Sequence, residues 1–313
     1  MKVAIVILNW NGEKFLERFL PTVIDKTNQQ QAEIYVIDNS SSDNSLKLLR
    51  EKFSMVKIVY LDKNYGFAEG YNKGLSEIKA EYYLLLNSDV EVSDNWLSPL
   101  LKKMDSDKNI AVCGPKLLDF QHPEYFEYAG AAGGFVDKYG YPFCRGRIFE
   151  NIEEDSSQYN EDIDCMWVSG AALLVRAELY NFVGGFDKEF FAHQEEIDLC
   201  WRLKNLGYRV VCVPESFVFH VGGATLNKSN PHKTFLNFRN NLFLIYKNFP
   251  TVKRQKVLFI RFFLDIIAAF RMILQSQRKD FSAVCKAYLQ FWKNKNKISR
   301  PKQIKNPKTL SGF

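Results

Sequence analysis

Two adjacent carboxylates, Glu195 and Glu196, stand where a polar loop gives way to a helical pattern. Ile197, Cys200, Trp201, Leu203 and Leu206 follow at helical spacing and Gly207 is a natural stop, so both acids belong to the first turn. Neighbouring helical positions point about 100° apart, so only one of the two can be aimed at a given point in a cleft. A carboxylate so aimed could take a proton from a substrate hydroxyl. Acids in a first turn also complement the helix dipole, and position alone leaves both readings open.

The other candidates sit at the ends of apolar runs. Asp89 closes Asn87-Ser88-Asp89 after the run 82–86, where oxygen ligands could hold a hard divalent cation bridging a diphosphate. Helix capping competes for that role, although Ser93 or Asp94 is better placed to open the helix at Trp96. His220 ends the run 216–219 beside glycines and could ligate a metal, or simply be a satisfied core histidine. Asn9 and Asn11 follow the first apolar run, Asp38 the second and Asn64 the third. Asx residues favour turns and caps, which would account for any one of them, but four such ends together suggest one polar crevice. Gly66, Gly70 and Gly74 recur on one helical face, where a phosphate or another backbone could come close, and Asn72 beside them could reach a ligand.

The elements that must position these residues alternate. Residues 3–8, 34–37 and 56–61 read as buried strands, each followed by a polar loop and a helical pattern. That alternation predicts an α/β fold with parallel pairing, right-handed crossovers and a ligand beyond the carboxyl ends of the strands. The pattern loosens over about 111–164, where a glycine- and aromatic-rich stretch precedes the acidic loop 150–157, the kind of insertion that shapes an acceptor pocket or lid. Residues 166–175 resume the core, and 209–213 and 216–219 read as two further strands.

Composition narrows the class. The 313 residues are 46% hydrophobic, enough for a substantial core. Six scattered cysteines without a CxxC pair read as reduced core residues of a cytosolic protein, and the opening apolar run is too short for a signal peptide. Neither G-x-G-x-x-G nor G-x-x-x-x-G-K-[ST] occurs, which disfavours nicotinamide and P-loop enzymes. The net charge of +6 conceals an asymmetry: from Thr251 onward 15 Lys and Arg face only Asp265 and Asp280, while the first 250 residues hold 27 bases and 34 acids.

Residues 6–11, 36–43, 64–68, 86–89 and 195–200 together resemble, in order and spacing, the family 2 glycosyltransferases of the GT-A fold, nearest to the rhamnosyltransferase-like enzymes of bacterial surface polysaccharides. The resemblance runs over about 1–250 and implies a GT-A catalytic domain, with a nucleotide-binding half to about 115 and an acceptor half beyond it. It implies inverting transfer of a sugar from a nucleoside diphosphate donor, such as dTDP-rhamnose or a UDP-sugar, to a glycan or lipid-linked saccharide. Asn9, Asn11 and Asp38 would hold the nucleoside, with Asn64 and Gly66 nearby. Asn87-Ser88-Asp89 matches the family's D-x-D, so Asp89 and His220 would hold Mn²⁺ or Mg²⁺, and Asn87 departs from the pattern. The family's acid pair is usually Glu-Asp with the second acid as base, which favours Glu196 over Glu195. A catalytically silent nucleotide-sugar or glycan-binding subunit is the alternative.

Residues 251–313 read as a basic amphipathic helical tail. Arg261 and Asp265 interrupt its apolar run, so it is not expected to span a bilayer. Its composition suits the anionic cytoplasmic face of a membrane, with packing on the catalytic domain or a homodimer interface as the competing roles. No nucleic-acid-binding module accompanies the charge.

Overall fold

The computed structural model describes residues 1–28, 30–148, 151–222 and 230–298. The first half is built as the alternation requires: β1 (Val3–Asn9), α1 (Glu13–Asp25), β2 (Ala32–Asp38), α2 (Ser45–Lys52), β3 (Lys57–Tyr60), α3 (Gly66–Leu75) and β4 (Tyr82–Leu86). All of β1 except Leu8 is buried, because helices cover both faces of the parallel strands. Val3, Ile5 and Ile7 pack with Leu16, Leu20 and Leu49 on one face, and Ala4 and Val6 pack with Tyr71 and Leu75 on the other. Gly70 and Gly74 let α3 press on the sheet: a Cβ at Gly74 would come within 2.2 Å of Ile37 and one at Gly70 within 3.1 Å of Leu8.

The chain continues through β5 (Val90–Val92), α4 (Leu97–Ser106), β6 (Ile110–Asp119), β7 (Gly134–Val136), β8 (Pro142–Cys144), β9 (Arg147–Ile148), β10 (Asn151–Ile152), β11 (Ile163–Asp164), β12 (Ala172–Arg176), α5 (Ala177–Phe182), α6 (Glu195–Asn205) and β13 (Arg209–His220). Among the described residues nine strands form one sheet, in the order β11-β13-β6-β12-β4-β1-β2-β3 with β5 on β13, and β7 to β10 form a small antiparallel sheet. β3, β2, β1 and β4 run parallel, β12 enters antiparallel between β4 and β6, and β6 pairs parallel with β13. The parallel register sets Asn9 beside Asp38 and Ile7 beside Leu86, so the polar strand ends share one edge.

Three local expectations are corrected. The runs 209–213 and 216–219 are one strand, whose register shift between Val213 and Phe217 absorbs Pro214, Glu215 and Ser216. Neither Ser93 nor Asp94 caps α4: Trp96 takes the N-cap position without a side-chain bond, and the Ser93 hydroxyl donates to the Phe217 carbonyl at 2.6 Å. The acidic stretch from Asn151 to Asp155 includes β10 and isolated bridges, while Glu150 lies outside the described residues.

Three α-helices follow among the described residues: α7 (Pro231–Asn248), α8 (Thr251–Leu274) and α9 (Arg278–Asn294). Phe291 of α9 packs on Phe243 and Tyr246 of α7. Arg261 and Asp265 of α8 are buried one helical turn apart; the guanidinium stacks 3.6 Å over Tyr141 and also bonds Asn241 of α7. Tyr141 and Tyr288 donate to the two oxygens of Asp265 at 2.9 and 2.7 Å. The part of the tail beyond residue 298 lies outside the described residues, and no described helix is long and apolar enough to cross a membrane. The six cysteines are free, and only Cys285 is exposed.

Candidate active site

Beyond β4, β6 and β13 lies a cavity of about 670 Å³, lined among others by Asn87, Asp89, Glu127, Glu195, Glu196 and His220. Two expected groups therefore meet in one space, the acid pair and the Asp89–His220 pair. Asp89 follows β4, and His220 ends β13 opposite Val90 of β5, so sheet pairing brings the two side chains together across 131 positions of sequence. His220 Nε2 lies 3.3 Å from Asp89 Oδ1, and Nδ1 lies 3.5 Å from Glu127 Oε1, which is long for a hydrogen bond. Burial pushes the imidazolium down, but its contacts with Asp89 and Glu127 outweigh that and carry its pKa up to about 10. The spot thus favours positive charge.

Asp89 and His220 offer one carboxylate and one imidazole to a common point, a donor set that suits Mn²⁺ and, less well, Mg²⁺. Among the described residues no group of three or more His, Cys, Asp or Glu could hold a metal. Among the described residues, Asp89 and His220 alone would thus supply the side-chain donors to such a cation.

The acid pair is held by a strained approach. Phe191, His193 and Gln194 have φ of 63°, 70° and 69°, left-handed values that non-glycine residues rarely adopt. Asn240 of α7, fully buried, holds this loop: its amide donates to the carbonyls of Phe190, Ala192 and His193 at 3.0, 2.8 and 2.7 Å. Arg239 adds bonds to the carbonyls of Glu189 and Phe190. One turn into α6, the fully buried Asp198 accepts from Arg202, Lys247 and Asn248 at 2.7, 2.9 and 2.9 Å, pinning α6 to α7. Burial raises the pKa of Asp198, but Lys247 and Arg202 outweigh it and hold the carboxyl below its ordinary value.

Within that frame the two glutamates differ. Glu195 is 4% exposed with Oε2 unpartnered among the described residues, and burial, with the neighbouring Glu196 charge adding, pushes its pKa well above the carboxylate range. Glu196 is half-buried, and burial lifts it to about 7 against the lowering effect of backbone N–H groups at the helix start. Burial thus favours the acid form of Glu195, and Glu196, lifted to about 7, is the one poised to exchange a proton near neutrality. His193, also in the lining, is pushed down to about 4 by burial and by Lys233 and His232, so it is a neutral imidazole.

The remaining expected residues do not line this cavity, and their side chains are engaged elsewhere. Asn9 donates to Asp38 at 3.3 Å and to the Ser41 hydroxyl at 3.1 Å, while Asp38 accepts from Ser41 N–H at 3.0 Å. Asn11 Oδ1 accepts from Ser42 N–H at 2.7 Å, and Asn64 Oδ1 accepts from Asn39 and from Gly66 N–H. Asn72 is engaged in the same way. It donates to the Phe186 carbonyl at 2.7 Å and accepts from the Tyr180 hydroxyl and Phe186 N–H, which leaves its amide committed to the fold. The opening of α3 is likewise not free for a phosphate, because the Phe191 carbonyl accepts from Phe67 and Ala68 N–H at 3.1 and 3.3 Å. Gly66 takes a φ of +76°, and the Phe191 ring fills the space where a Cβ would stand.

Sequence reasoning missed Glu127, Asn240 and Arg261. Glu127 lies in the irregular insertion, and Asn240 reads as an ordinary helical polar residue. Arg261 reads as an interruption of an apolar tail, yet it lines the cavity. A pair of opposite charges one turn apart, Arg261 and Asp265, inside an apolar helical run was the one available signal.

Solved structures share this architecture. GalNAc-T7, solved with UDP, GalNAc and Mn²⁺, superposes with a TM-score of 0.62 at 19% identity, covering 79% of this chain and 48% of that one, so the likeness spans about half of its length. The mannosyltransferase PcManGT of Pyrobaculum calidifontis, in complex with GDP-Man and Mn²⁺, gives 0.59 at 13% identity, covering 94% and 88%. These likenesses define a fold of the GT-A type. The family model described as Glycosyl transferase family 2 matches residues 4–165, and the chain belongs to that family. Among curated relatives, the N-acetylglucosaminyl-diphospho-decaprenol L-rhamnosyltransferase of Mycobacterium tuberculosis is 23% identical over 236 residues, 70% of this chain and 75% of that protein. Rhamnosyltransferase WbbL of Escherichia coli is 25% identical over 226 residues, 70% and 83%.

Proposed function

We propose that the chain is an inverting glycosyltransferase that moves a sugar, with a deoxyhexose such as rhamnose favoured by its relatives, from a nucleoside diphosphate to a hydroxyl of a glycan or lipid-linked saccharide. The observation that carries this reading is the convergence of Glu196 with the Asp89–His220 pair on one cavity of about 670 Å³. Asp89 and His220 would hold a divalent cation, which supplies neutralisation of the charge that develops on the departing diphosphate. Glu196 takes the proton of the acceptor hydroxyl as its oxygen attacks the anomeric carbon and the bond to phosphate breaks. One displacement inverts that carbon and needs no second carboxylate as nucleophile, unlike a retaining glycosidase. Burial of Glu195 disfavours a second negative charge beside the base. Asn9, Asn11, Asp38 and Asn64 shape the strand-end loops on the nucleoside side, and Arg261, Lys233 and Asn237 line the cavity from the C-terminal helices. The working place is the cytoplasmic surface of an anionic membrane, where each basic residue close to the surface contributes about 1 kcal/mol.

A thermal-shift panel of nucleoside diphosphate sugars, with and without Mn²⁺ or Mg²⁺, tests donor and metal together. The true donor should raise the melting temperature most in the presence of metal, and NMR of the product should show an inverted anomeric carbon. Retention of configuration would refute the single displacement. Asn87, which replaces an acid in the D-x-D position, favours the alternative of a silent binding subunit; donor binding without turnover on any acceptor would support that alternative.

A further inference from the structure

The outward face of α8 carries an apolar stripe. Val252, Phe259, Phe263, Ile267, Phe270 and Leu274 are 83, 68, 51, 65, 60 and 86% exposed. At 100° per residue they fall within a sector about 80° wide and run about 33 Å along the helix. The opposite face holds Arg254, Val257, Arg261, Asp265 and Ala269, all buried. A stripe of this size on a soluble surface marks an interaction site.

We propose that this stripe is the surface that docks the enzyme on an anionic lipid bilayer. The inference rests on the membrane placement given above and is independent of the transfer chemistry. Charge selects the occupant. Lys256 lies within the stripe, and Lys253 and Arg271 lie about 80° to one side of its centre, all three exposed. Both acids of the region are turned to other work: Asp265 is 1% exposed against Arg261, and Asp280 accepts from the Thr234 hydroxyl at 2.5 Å. Every exposed charge on α8 is therefore positive. A second copy meeting this face about a two-fold axis would set like charges against one another, because such an interface opposes the same patch to itself. A bilayer with anionic headgroups satisfies both the apolar stripe and its basic flank, and a helix lying in that plane buries its apolar side at the headgroup boundary. The orientation also serves the site. Arg261, on the inward face of the same helix, lines the cavity, so docking brings the cavity wall within about one helix diameter, roughly 10 Å, of the headgroups.

Flotation of the full chain with phosphatidylcholine vesicles, with and without a quarter of phosphatidylglycerol, tests this. The wild type should float with the anionic vesicles and stay behind with the neutral ones. Phe263→Glu with Phe270→Glu should lower the partition coefficient more than about tenfold, since burying one phenylalanine side chain is worth about that factor. Lys253→Gln, Lys256→Gln and Arg271→Gln combined should abolish the preference for anionic vesicles, which keeps the proposal testable if the glutamate pair disturbs folding. Glu196→Gln should float as the wild type does, so that a failed transferase reading is told apart from a failed docking surface. Wild-type protein that ignores anionic vesicles would overturn the proposal. So would glutamate variants that float undiminished, or a wild-type dimer in solution that the Phe263 and Phe270 changes split into monomers.

Discussion

Replacing Glu196 with Gln separates catalysis from stability with opposite signs. If Glu196 is the base, transfer should fall by about 10²–10⁴, equivalent to about 2.7–5.4 kcal/mol of barrier. The wild-type rate should follow the ionised fraction of a carboxyl whose pKa is lifted to about 7. Activity should then rise about tenfold per pH unit below neutrality and level off above it, and the residual activity of the variant should lack this limb. Stability should move the other way. Because the folded pKa lies above the unfolded value, the proton on Glu196 stabilises the fold fully below the unfolded pKa of 4.5, and that contribution is lost as pH rises through about 7. The full shift corresponds to about 3 kcal/mol, and partial exposure reduces it to about 2. Glu196→Gln escapes this loss, so the variant should melt several degrees higher than the wild type at pH well above neutrality and close to it in mild acid. The assays are initial rates with the donor found in the thermal-shift panel and melting curves across the same pH range. A variant that keeps its rate, or that melts lower than the wild type in alkaline buffer, would refute the assignment and the burial argument behind it.

Asp198→Asn should destabilise the fold by about 3–5 kcal/mol, because Arg202 and Lys247 would be left buried without their shared carboxylate. In the wild type this carboxyl's folded pKa lies below its unfolded value, so its contribution is present above the unfolded pKa and is lost as pH falls through the folded one; acid melts of wild type and variant should converge there. Asn240→Ala should cost about 1–3 kcal/mol for each loop carbonyl it strands and should lower kcat, since the approach to Glu196 relaxes; an unchanged hydrogen-exchange rate across residues 190–194 would contradict the clamp. Asp89→Asn should lower melting without ligand at neutral pH, because the buried His220 imidazolium loses a carboxylate partner, and should also remove the extra Mn²⁺-dependent shift given by a nucleoside diphosphate.

Local pattern determined a good deal. The strands at 3–8 and 82–86 read correctly because β1 and β4 are buried on both faces, which demands unbroken apolar runs, and the opening of α6 read correctly because its first-turn acids, helical spacing and Gly207 stop are near neighbours in the chain. The same signals placed Asn87, Asp89, Glu195, Glu196 and His220 at element ends, where the cavity lies. Packing decided the rest. Asn72 and the start of α3 resembled ligand contacts until the turn around Phe186 and the Phe191 carbonyl took up their hydrogen bonds. Glu127 faces His220 from 93 positions away, Asn240 holds a loop 47 positions before it, and Arg261 reaches the cavity from a helix whose outer face is apolar. Side-chain direction across such separations depends on how helices and sheet stack, and no stretch of neighbouring residues encodes it.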